Sequence, residues 1–194
     1  MRSDEPTKPR PAASLILLRD RPEGPEVLLV ERNPEQRFMG GAWVFPGGAV
    51  DGETEAPDAA AARELEEEAA IRLPPGTPVE SFSRWITPAQ VKVRFDTWFF
   101  VAAAPDGAEP KPDGSECTDA RWIRPQEALD AHARDELMLV FPTIKHLEDL
   151  TGFESVEAAL DAARARRVMP VEPRVLDQGG VARIVLPGEP GYDG

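Results

Sequence analysis

Residues 45–71 constrain the fold of this chain more than any other segment. They read FPGGAVDGETEAPDAAAARELEEEAAI, in which Pro-Gly-Gly stops a short apolar strand and a helical pattern follows over 58–70. On that helix Glu64, Glu67 and Glu68 are spaced i, i+3 and i+4. Residues at this spacing lie on the same side of an α-helix, so the sequence predicts three carboxylates on one face.

Like charges one turn apart each destabilise a helix by about 0.2–0.5 kcal/mol. A hard divalent cation reverses this effect, because Mg²⁺ prefers oxygen ligands and binds carboxylates together with substrate phosphates. A glutamate run alone is more typical of a solvated helix face. Gly47 and Gly48 favour a binding site instead, since they let the backbone approach a ligand closely. Arg63 lies one turn before Glu67 and can hold that carboxylate.

Short strands and helices are predicted on both sides of this segment. The strands cover 13–18, 26–31, 42–45, 79–86, 91–104, 117–123 and 181–187, and three further helices cover 125–137, 142–151 and 155–167. On the first helix, Ala62, Leu65 and Ala69 lie apart from the acidic face and can pack against a sheet, and Asp58 can cap the helix. Strands before and after this helix predict a mixed α/β sandwich rather than a regular βαβ array.

The chain is expected to divide into three parts. Residues 1–12 are Pro-rich and charged, so we expect a flexible tail, and 13–135 are expected to form one domain. Residues 136–194 are predicted to be a helical extension packed on the same domain. This extension is expected to cap the site, to form a homodimer or to cover a sheet edge.

Composition excludes several classes of protein. The 194 residues include 35 Asp and Glu against 22 Lys and Arg, a formal net charge of -13, without the basic cluster that nucleic-acid binding needs. The apolar run 98–104 is far shorter than the roughly 18 residues of a membrane-spanning helix. A single cysteine, Cys117, excludes an intramolecular disulfide, and the lone His132 and His146 are expected to pack on the surface or in the core. We therefore expect a soluble cytoplasmic protein that binds neither nucleic acid nor a membrane.

The acidic helix resembles part of the Nudix box, whose consensus is G-x5-E-x7-R-E-U-x-E-E-x-G-U, with U an aliphatic residue. The matching residues are Arg63, Glu64, Leu65, Glu67, Glu68 and Ile71. Fourteen residues separate Gly48 from Arg63 where the consensus has thirteen, so the first Glu of the box is either Glu53 or Glu55. Ala70 replaces the glycine after the acidic pair. The resemblance implies a Nudix-type α/β/α sandwich with a mixed sheet, here with extra C-terminal helices.

Residues 28–48 resemble the signature of coenzyme A-hydrolysing Nudix enzymes, L-L-T-x-R-S/A-x3-R-x3-G-x3-F-P-G-G. The residues in register are Leu28, Leu29, Arg32, Arg37, Gly41, Phe45, Pro46, Gly47 and Gly48. Val30 replaces the Thr of the signature, and Asn33 replaces its Ser or Ala. The alternative interpretation is a half-buried strand with an adjacent basic residue.

The family resemblance implies a metal-dependent diphosphatase and gives these residues roles. Mg²⁺ or Mn²⁺ is expected on Glu64, Glu67 and Glu68, joined by Glu53 or Glu55. The cation would supply the positive charge that an acidic protein needs to bind and cleave an anionic diphosphate.

Catalytic and substrate-binding roles follow from the same resemblance. The catalytic candidates are Glu64, Arg63 and Glu116, with either Glu64 or Glu116 as the general base; the substrate-binding candidates are Arg32, Arg37, Arg94, Gly47 and Gly48. Arginine contacts phosphate through paired N–H donors. The alternative is a salt-bridged Arg94 in core strands and a Glu116 that is only an exposed loop residue.

Three functions of different classes stay open at this point. The first is hydrolysis of coenzyme A or acyl-CoA to 3′,5′-ADP and (acyl-)4′-phosphopantetheine. The second is a Nudix pyrophosphatase acting on ADP-ribose, a dinucleotide or a nucleoside triphosphate. The third is a non-catalytic, nucleotide-binding regulatory module, against which the intact R-E-x-x-E-E pattern argues. The partner in each case is a small nucleotide.

Overall fold

A mixed β-sheet lies at the centre of the fold. The computed structural model describes residues 6–37, 39–178 and 181–192, and within these ranges eight strands form the sheet. They are β1 (Arg10–Arg19), β2 (Glu26–Arg32), β3 (Trp43–Val44), β4 (Gly47–Ala49), β5 (Glu80–Ile86), β6 (Phe95–Ala103), β7 (Cys117–Ile123) and β8 (Pro170–Val171). The helices are α1 (Pro57–Ala69), α2 (Pro125–Ala133), α3 (Phe141–Leu150) and α4 (Val156–Ala165). Strands β9 (Arg174–Gln178) and β10 (Val181–Val185) form a separate antiparallel pair.

Strand β1 organises the sheet. It runs parallel to β6, with Arg10 opposite Phe95 and Leu18 opposite Ala103. On its other side, β1 pairs antiparallel with β4 near its start and with β2 at its end. The sheet order is β3-β2-β1-β6-β5-β8, with β4 against β1 and β7 against β2. This topology places the glycines of β4 in contact with α1.

Helices cover both faces of the sheet. Successive side chains of a strand point to opposite faces, so Leu15 and Leu17 of β1 pack in the core that includes α1. Ile16 and Leu18 pack in the core that includes α2, α3 and α4. This arrangement confirms the predicted α/β/α sandwich with its mixed sheet and extra C-terminal helices. The first helix, α1, has 13 residues, and no helix in the described ranges is long and apolar enough to cross a membrane.

The two ends of α1 explain two features of its sequence. Pro57 is the first helical residue and Ala56 is the N-cap, so the prediction of an Asp58 cap is wrong. Asp58 lies in the first turn instead, where its negative charge interacts favourably with the helix dipole and stabilises the helix. At the other end Ala70 adopts the left-handed conformation, with φ 54°. The helix therefore keeps the left-handed end that glycine usually provides, although the glycine is missing.

Other element boundaries also differ from the sequence prediction. Strand β1 begins at Arg10 rather than at residue 13, while residues 1–5 of the predicted tail lie outside the described residues. The helix predicted over 125–137 ends at Ala133, because the chain turns at Asp135, where φ is 58°. Strands β4, β8 and β9 were not predicted. Two glycines begin β4 and a proline begins β8, and neither residue type favours strands.

Two helices and one strand that follow residue 136 pack on the sheet. Helices α3 and α4 contribute to the core, and β8 pairs in parallel with Arg84 and Trp85 of β5. The Tyr192 hydroxyl donates a hydrogen bond to the Glu172 carbonyl oxygen at 2.8 Å. The division into tail, domain and extension stays a prediction, as does a homodimer.

A buried histidine lies within the core that α3 covers. The ring of His146 packs against an aromatic cluster of Phe45, Phe82, Trp85 and Phe99. Its Nδ1 lies 2.6 Å from the Pro142 carbonyl oxygen, and its Nε2 lies 2.5 Å from Oγ of Ser83. Burial lowers the pKa of His146 to about 4, although the hydrogen bond to Pro142 opposes this shift. The ring is therefore neutral, with Nδ1 donating to Pro142 and Nε2 accepting from Ser83.

We predict that His146 makes the fold sensitive to mild acid. The pKa of His146 is about 4 in the folded protein and about 6.5 in the unfolded chain, so the unfolded chain binds a proton first as the pH falls. The stability from the neutral ring is present above pH 6.5 and is lost as the pH falls toward 4. Between pH 7 and pH 5 this loss is about 2 kcal/mol in the free energy of unfolding.

Urea unfolding at pH 7 and at pH 5 measures this loss. In His146→Phe the free energy of unfolding should no longer show the part of its pH dependence that His146 causes. NMR titration of the His146 ring in the unmodified protein gives a second measurement that does not depend on the variant. A ring that becomes protonated near pH 6.5 would contradict the prediction.

Candidate active site

Arg63 of α1 gathers acidic side chains at the junction of α1 with β4. Its Nε donates to Oε1 of Glu55 at 2.9 Å, and its Nη2 donates to Oε2 of the same residue at 3.2 Å. Its Nη1 donates to Oε1 of Glu64 and to Oε2 of Glu67, both at 2.9 Å. Nη2 also donates to the Ala49 carbonyl oxygen at 3.0 Å. One guanidinium therefore links the acidic face of α1 to the end of β4.

Of the two candidates for the first acidic residue, Glu55 is the one that contacts Arg63. Both of its carboxylate oxygens accept from the guanidinium, and the backbone N–H of Asp51 donates to Oε2 at 2.6 Å. The Arg63 hydrogen bond, followed by the bond from Asp51, lowers the pKa of Glu55. Glu53 is exposed and is not a partner of Arg63. The spacing of seven residues between Glu55 and Arg63 also matches the consensus.

Glu64 and Glu68 are buried against the two glycines of β4. The Gly47 N–H donates to Oε2 of Glu68 at 2.9 Å. A Cβ added at Gly48 would lie 2.7 Å from Oε2 of Glu64, and one added at Gly47 would lie 2.6 Å from the Ala13 carbonyl oxygen. Gly47 therefore needs glycine, because a side chain there would overlap the backbone of β1, whereas a side chain at position 48 would displace the Glu64 carboxylate.

The burial of these two carboxylates has an electrostatic consequence. Burial raises the pKa of Glu68 to about 7, against the opposing effect of the Gly47 hydrogen bond. Burial also raises the pKa of Glu64, although the hydrogen bond and the positive charge of Arg63 oppose this shift. Two carboxylates whose charged forms are only partly compensated attract a further cation.

The chemistry of these donors fits a hard divalent cation. Oxygen ligands from Glu64, Glu67 and Glu68 are the kind that Mg²⁺ and Mn²⁺ prefer. The present conformations do not form a closed cage: among the described residues, no three His, Cys, Asp or Glu side chains converge closely enough to hold an ion. Arg63 lies between Glu64 and Glu67, and the Glu67 side chain is 57% exposed. A rotation of Glu67 would therefore free its carboxylate without disturbing the core.

Glu116 lies on the loop before β7, on the same side of the molecule as Glu64. Its negative charge contributes to the raised pKa of Glu64. Its backbone is held by Asp113, whose carboxylate accepts hydrogen bonds from the N–H groups of Cys117 at 2.8 Å, Glu116 at 2.9 Å and Ser115 at 3.0 Å. Burial would raise the pKa of Asp113, but a hydrogen bond from the Ser115 hydroxyl, together with these backbone hydrogen bonds, lowers it to about 2. Within the described residues, the Glu116 carboxylate has no hydrogen-bond or ion-pair partner.

The two signature arginines differ in their surroundings. Arg32 ends β2, and its positive charge opposes the rise in the pKa of Glu68. Its Nη2 donates to Oε1 of Gln36 at 2.5 Å, while its Nε is buried without a hydrogen-bond partner in the described part of the chain. Arg37 is exposed on the following loop. The structure therefore brings Arg32 to the glutamate cluster and leaves Arg37 in solvent.

Arg94 does not join this group. It is buried, and its guanidinium donates to the carbonyl oxygens of Thr87 and Thr7, both at 2.9 Å, and to Oε1 of Glu172 at 2.6 Å. These contacts tie the turn after β5 to both ends of the chain. The substrate-binding role expected for Arg94 is not what the geometry supports, since its donors are already engaged.

Sequence reasoning missed two parts of the site. The Asp113 turn has a recognisable signal, because Asp-Gly-Ser is a sequence in which an Asp side chain bonds the backbone two residues on. The Ala49 carbonyl that binds Arg63 has no such signal, since any residue provides a backbone oxygen.

We predict that Gly48→Ala destabilises the protein through Glu64. The added Cβ displaces the Glu64 carboxylate, which then loses its hydrogen bond from Arg63, so we expect a cost of about 1–2 kcal/mol in the free energy of unfolding. The same substitution should cost much less in a Glu64→Ala background, where the obstructing group is gone. Urea unfolding of the single and double variants measures the difference.

Gly52→Ala is the matched control for this cycle. Its φ of 65° makes alanine unfavourable there by about 1–2 kcal/mol, but the new Cβ would meet nothing within 4 Å. Its cost should be equal in both backgrounds. Equal costs for Gly48→Ala would contradict the proposed overlap.

Comparison with known proteins identifies similar sequences. A Mycobacterium tuberculosis protein, provisionally named 8-oxo-dGTP diphosphatase 3, is 29% identical over 121 residues, which are 61% of this chain and 54% of that protein. The Nudix hydrolase NudL of Klebsiella aerogenes, named as uncharacterized, is 46% identical over 66 residues, 34% of this chain and 54% of that protein. The chain spans about half the length of these curated relatives.

The fold and the family are established by two further matches. A NUDIX hydrolase structure from Alicyclobacillus acidocaldarius superimposes with a TM-score of 0.72 at 27% identity, covering 80% of this chain and 96% of that one. The sequence model of the NUDIX domain matches residues 8–141, more than half of the chain. Together with the acidic side chains that bind Arg63, this match shows that the chain belongs to the NUDIX domain family.

Proposed function

We propose that this chain hydrolyses a diphosphate linkage in a nucleoside diphosphate derivative, with a divalent cation bound at the glutamate cluster of α1. The observation that carries the proposal is the set of carboxylates that Arg63 holds beside the glycines of β4. An acidic site can bind an anionic diphosphate only if a cation offsets the repulsion. The membership of the NUDIX domain family supports this class of reaction.

The proposal gives the acidic residues different tasks. Glu64, Glu67 and Glu68 would hold Mg²⁺ or Mn²⁺, which when bound would polarise a phosphoryl oxygen and offset its negative charge. Glu55 positions Arg63 instead, because both of its oxygens are engaged by the guanidinium. Arg63 in turn fixes the side chain of Glu64.

We assign the general base to Glu116 rather than to Glu64. The Glu64 carboxylate is buried and already accepts a hydrogen bond from Arg63. Glu116 is exposed and unpartnered among the described residues, so it can accept a proton from the attacking water. The water oxygen would bond to phosphorus as the bridging P–O bond breaks, and the proton would pass to Glu116.

Coenzyme A or acyl-CoA is the substrate that we favour. The signature over 28–48 supports this substrate. Of its two arginines, Arg32 interacts with Glu68 and Arg37 lies on an exposed loop, and each can contact a phosphate group. The Mycobacterium tuberculosis relative instead favours a nucleoside triphosphate such as 8-oxo-dGTP. A cytoplasmic location is part of the proposal, and the single, buried thiol of Cys117 fits a reducing compartment.

A substrate panel tests the proposal directly. We expect coenzyme A with Mg²⁺ or Mn²⁺ to give 3′,5′-ADP and 4′-phosphopantetheine, identified by mass spectrometry, and EDTA to stop the reaction because the carboxylates then lack their cation. Faster turnover of 8-oxo-dGTP would select the alternative substrate. Binding of nucleotides without any product would indicate a regulatory module and would overturn the proposed activity.

Substitutions that replace a glutamate of α1 by glutamine remove its negative charge and test its role. Glu67→Gln or Glu68→Gln should lower turnover by about 10²–10³-fold while leaving the fold intact, because each removes one negative ligand. Glu66→Gln is the matched control: Glu66 is exposed on the same helix and pairs with Arg72. Initial rates at saturating Mg²⁺ and circular dichroism provide the measurements. Normal rates in both Glu67→Gln and Glu68→Gln would refute the assignment.

A further inference from the structure

Two loops at the candidate site, far apart in sequence, are joined by hydrogen bonds. One is the loop 32–36 of the coenzyme A signature, and the other is the loop 113–117 that carries Glu116. The Asn33 N–H donates to the Glu116 carbonyl oxygen at 2.8 Å, and Nδ2 of Asn33 donates to the Ser115 carbonyl oxygen at 2.8 Å. Asn33 thus holds the backbone on both sides of the Ser115–Glu116 peptide bond.

The sheet alone does not provide this connection. Strands β2 and β7 pair antiparallel, but their register shifts at the end of β2, between Glu31 and Arg32. Asn33 follows this irregularity directly. Its contacts with the loop 113–117 therefore begin where the regular ladder of β2 and β7 ends.

The side chain of Asn33 uses both of its polar ends. Oδ1 accepts a hydrogen bond from the Glu35 N–H at 3.0 Å, which shapes its own loop, while Nδ2 reaches Ser115. Arg32 contacts the same loop through Gln36, whose Nε2 lies 3.5 Å from the Glu116 carbonyl oxygen. Serine or alanine, the residues of the signature at position 33, would lack the amide donor to Ser115.

We propose that Asn33 is a positioning residue that fixes the loop of Glu116 against the loop of Arg32, so that the base and the substrate-binding arginine keep a set separation. This inference rests on the proposed hydrolase function and deepens it. Asn33 does not touch the reacting atoms; it acts through the backbone of Ser115 and Glu116. The departure from the signature at position 33 is thereby given a structural purpose.

A double-variant cycle with Glu116 tests the proposal. Asn33→Ala should lower kcat by about ten- to hundredfold with a smaller change in KM, because a displacement of about 1 Å in a reacting group has an effect of this size. In a Glu116→Gln background the same substitution should change kcat less than twofold. Asn33→Asp keeps the acceptor for Glu35 but loses the donor to Ser115, so it should reproduce the defect.

Amide hydrogen exchange gives a readout that does not depend on turnover. Exchange at Glu116 and Cys117 should be faster in Asn33→Ala than in the unmodified chain. Gln126→Ala is the control, since Gln126 makes a comparable amide hydrogen bond to Asp130 on the exposed face of α2. It should change neither exchange nor kcat.

The outcomes separate this inference from the proposed function. Normal kcat in Asn33→Ala, or an equal loss of kcat with and without the Glu116 carboxylate, overturns the positioning role and leaves the hydrolase proposal intact. Absence of turnover by the unmodified chain on the whole panel overturns both.

Discussion

The guanidinium of Arg63 is the interaction on which the site depends. Without it, Glu55, Glu64 and Glu67 would place their negative charges near one another, and α1 would lose its polar link to the carbonyl of Ala49. Because Arg63 donates to all four groups, it fixes the connector between β4 and α1 as well as the acidic face of the helix. A permanent positive charge thus stabilises the protein before any cation binds.

Close packing around β4 explains why a carboxylate-rich site can exist inside this sandwich. Gly48 leaves room for the Glu64 carboxylate, while Gly47 leaves room for the β1 backbone and donates its N–H to Glu68. The two buried carboxylates weaken the fold, since burial raises the pKa of each. Apolar cores on both faces of the sheet offset this cost. Such local instability is common where a protein keeps charged groups for function.

The sequence predicted those parts of the molecule that local periodicity determines. The spacing of Glu64, Glu67 and Glu68 indicated the acidic face of α1, and strand patterns indicated the sandwich. The structure distinguishes Glu55 from Glu53 through its contact with Arg63, because the one-residue insertion leaves neither at the consensus spacing from Gly48. The surroundings of Arg94 depend on Glu172, 78 residues away, and no local pattern predicts a contact at that separation.

The most direct measurement of the central claim is the location of a bound divalent cation. Crystals soaked in Mn²⁺ reveal the ion through its anomalous scattering. The account predicts a peak in contact with the carboxylate oxygens of Glu64, Glu67 and Glu68, with Arg63 still bound to Glu55. A cluster that stays empty while Mn²⁺ binds elsewhere would contradict it.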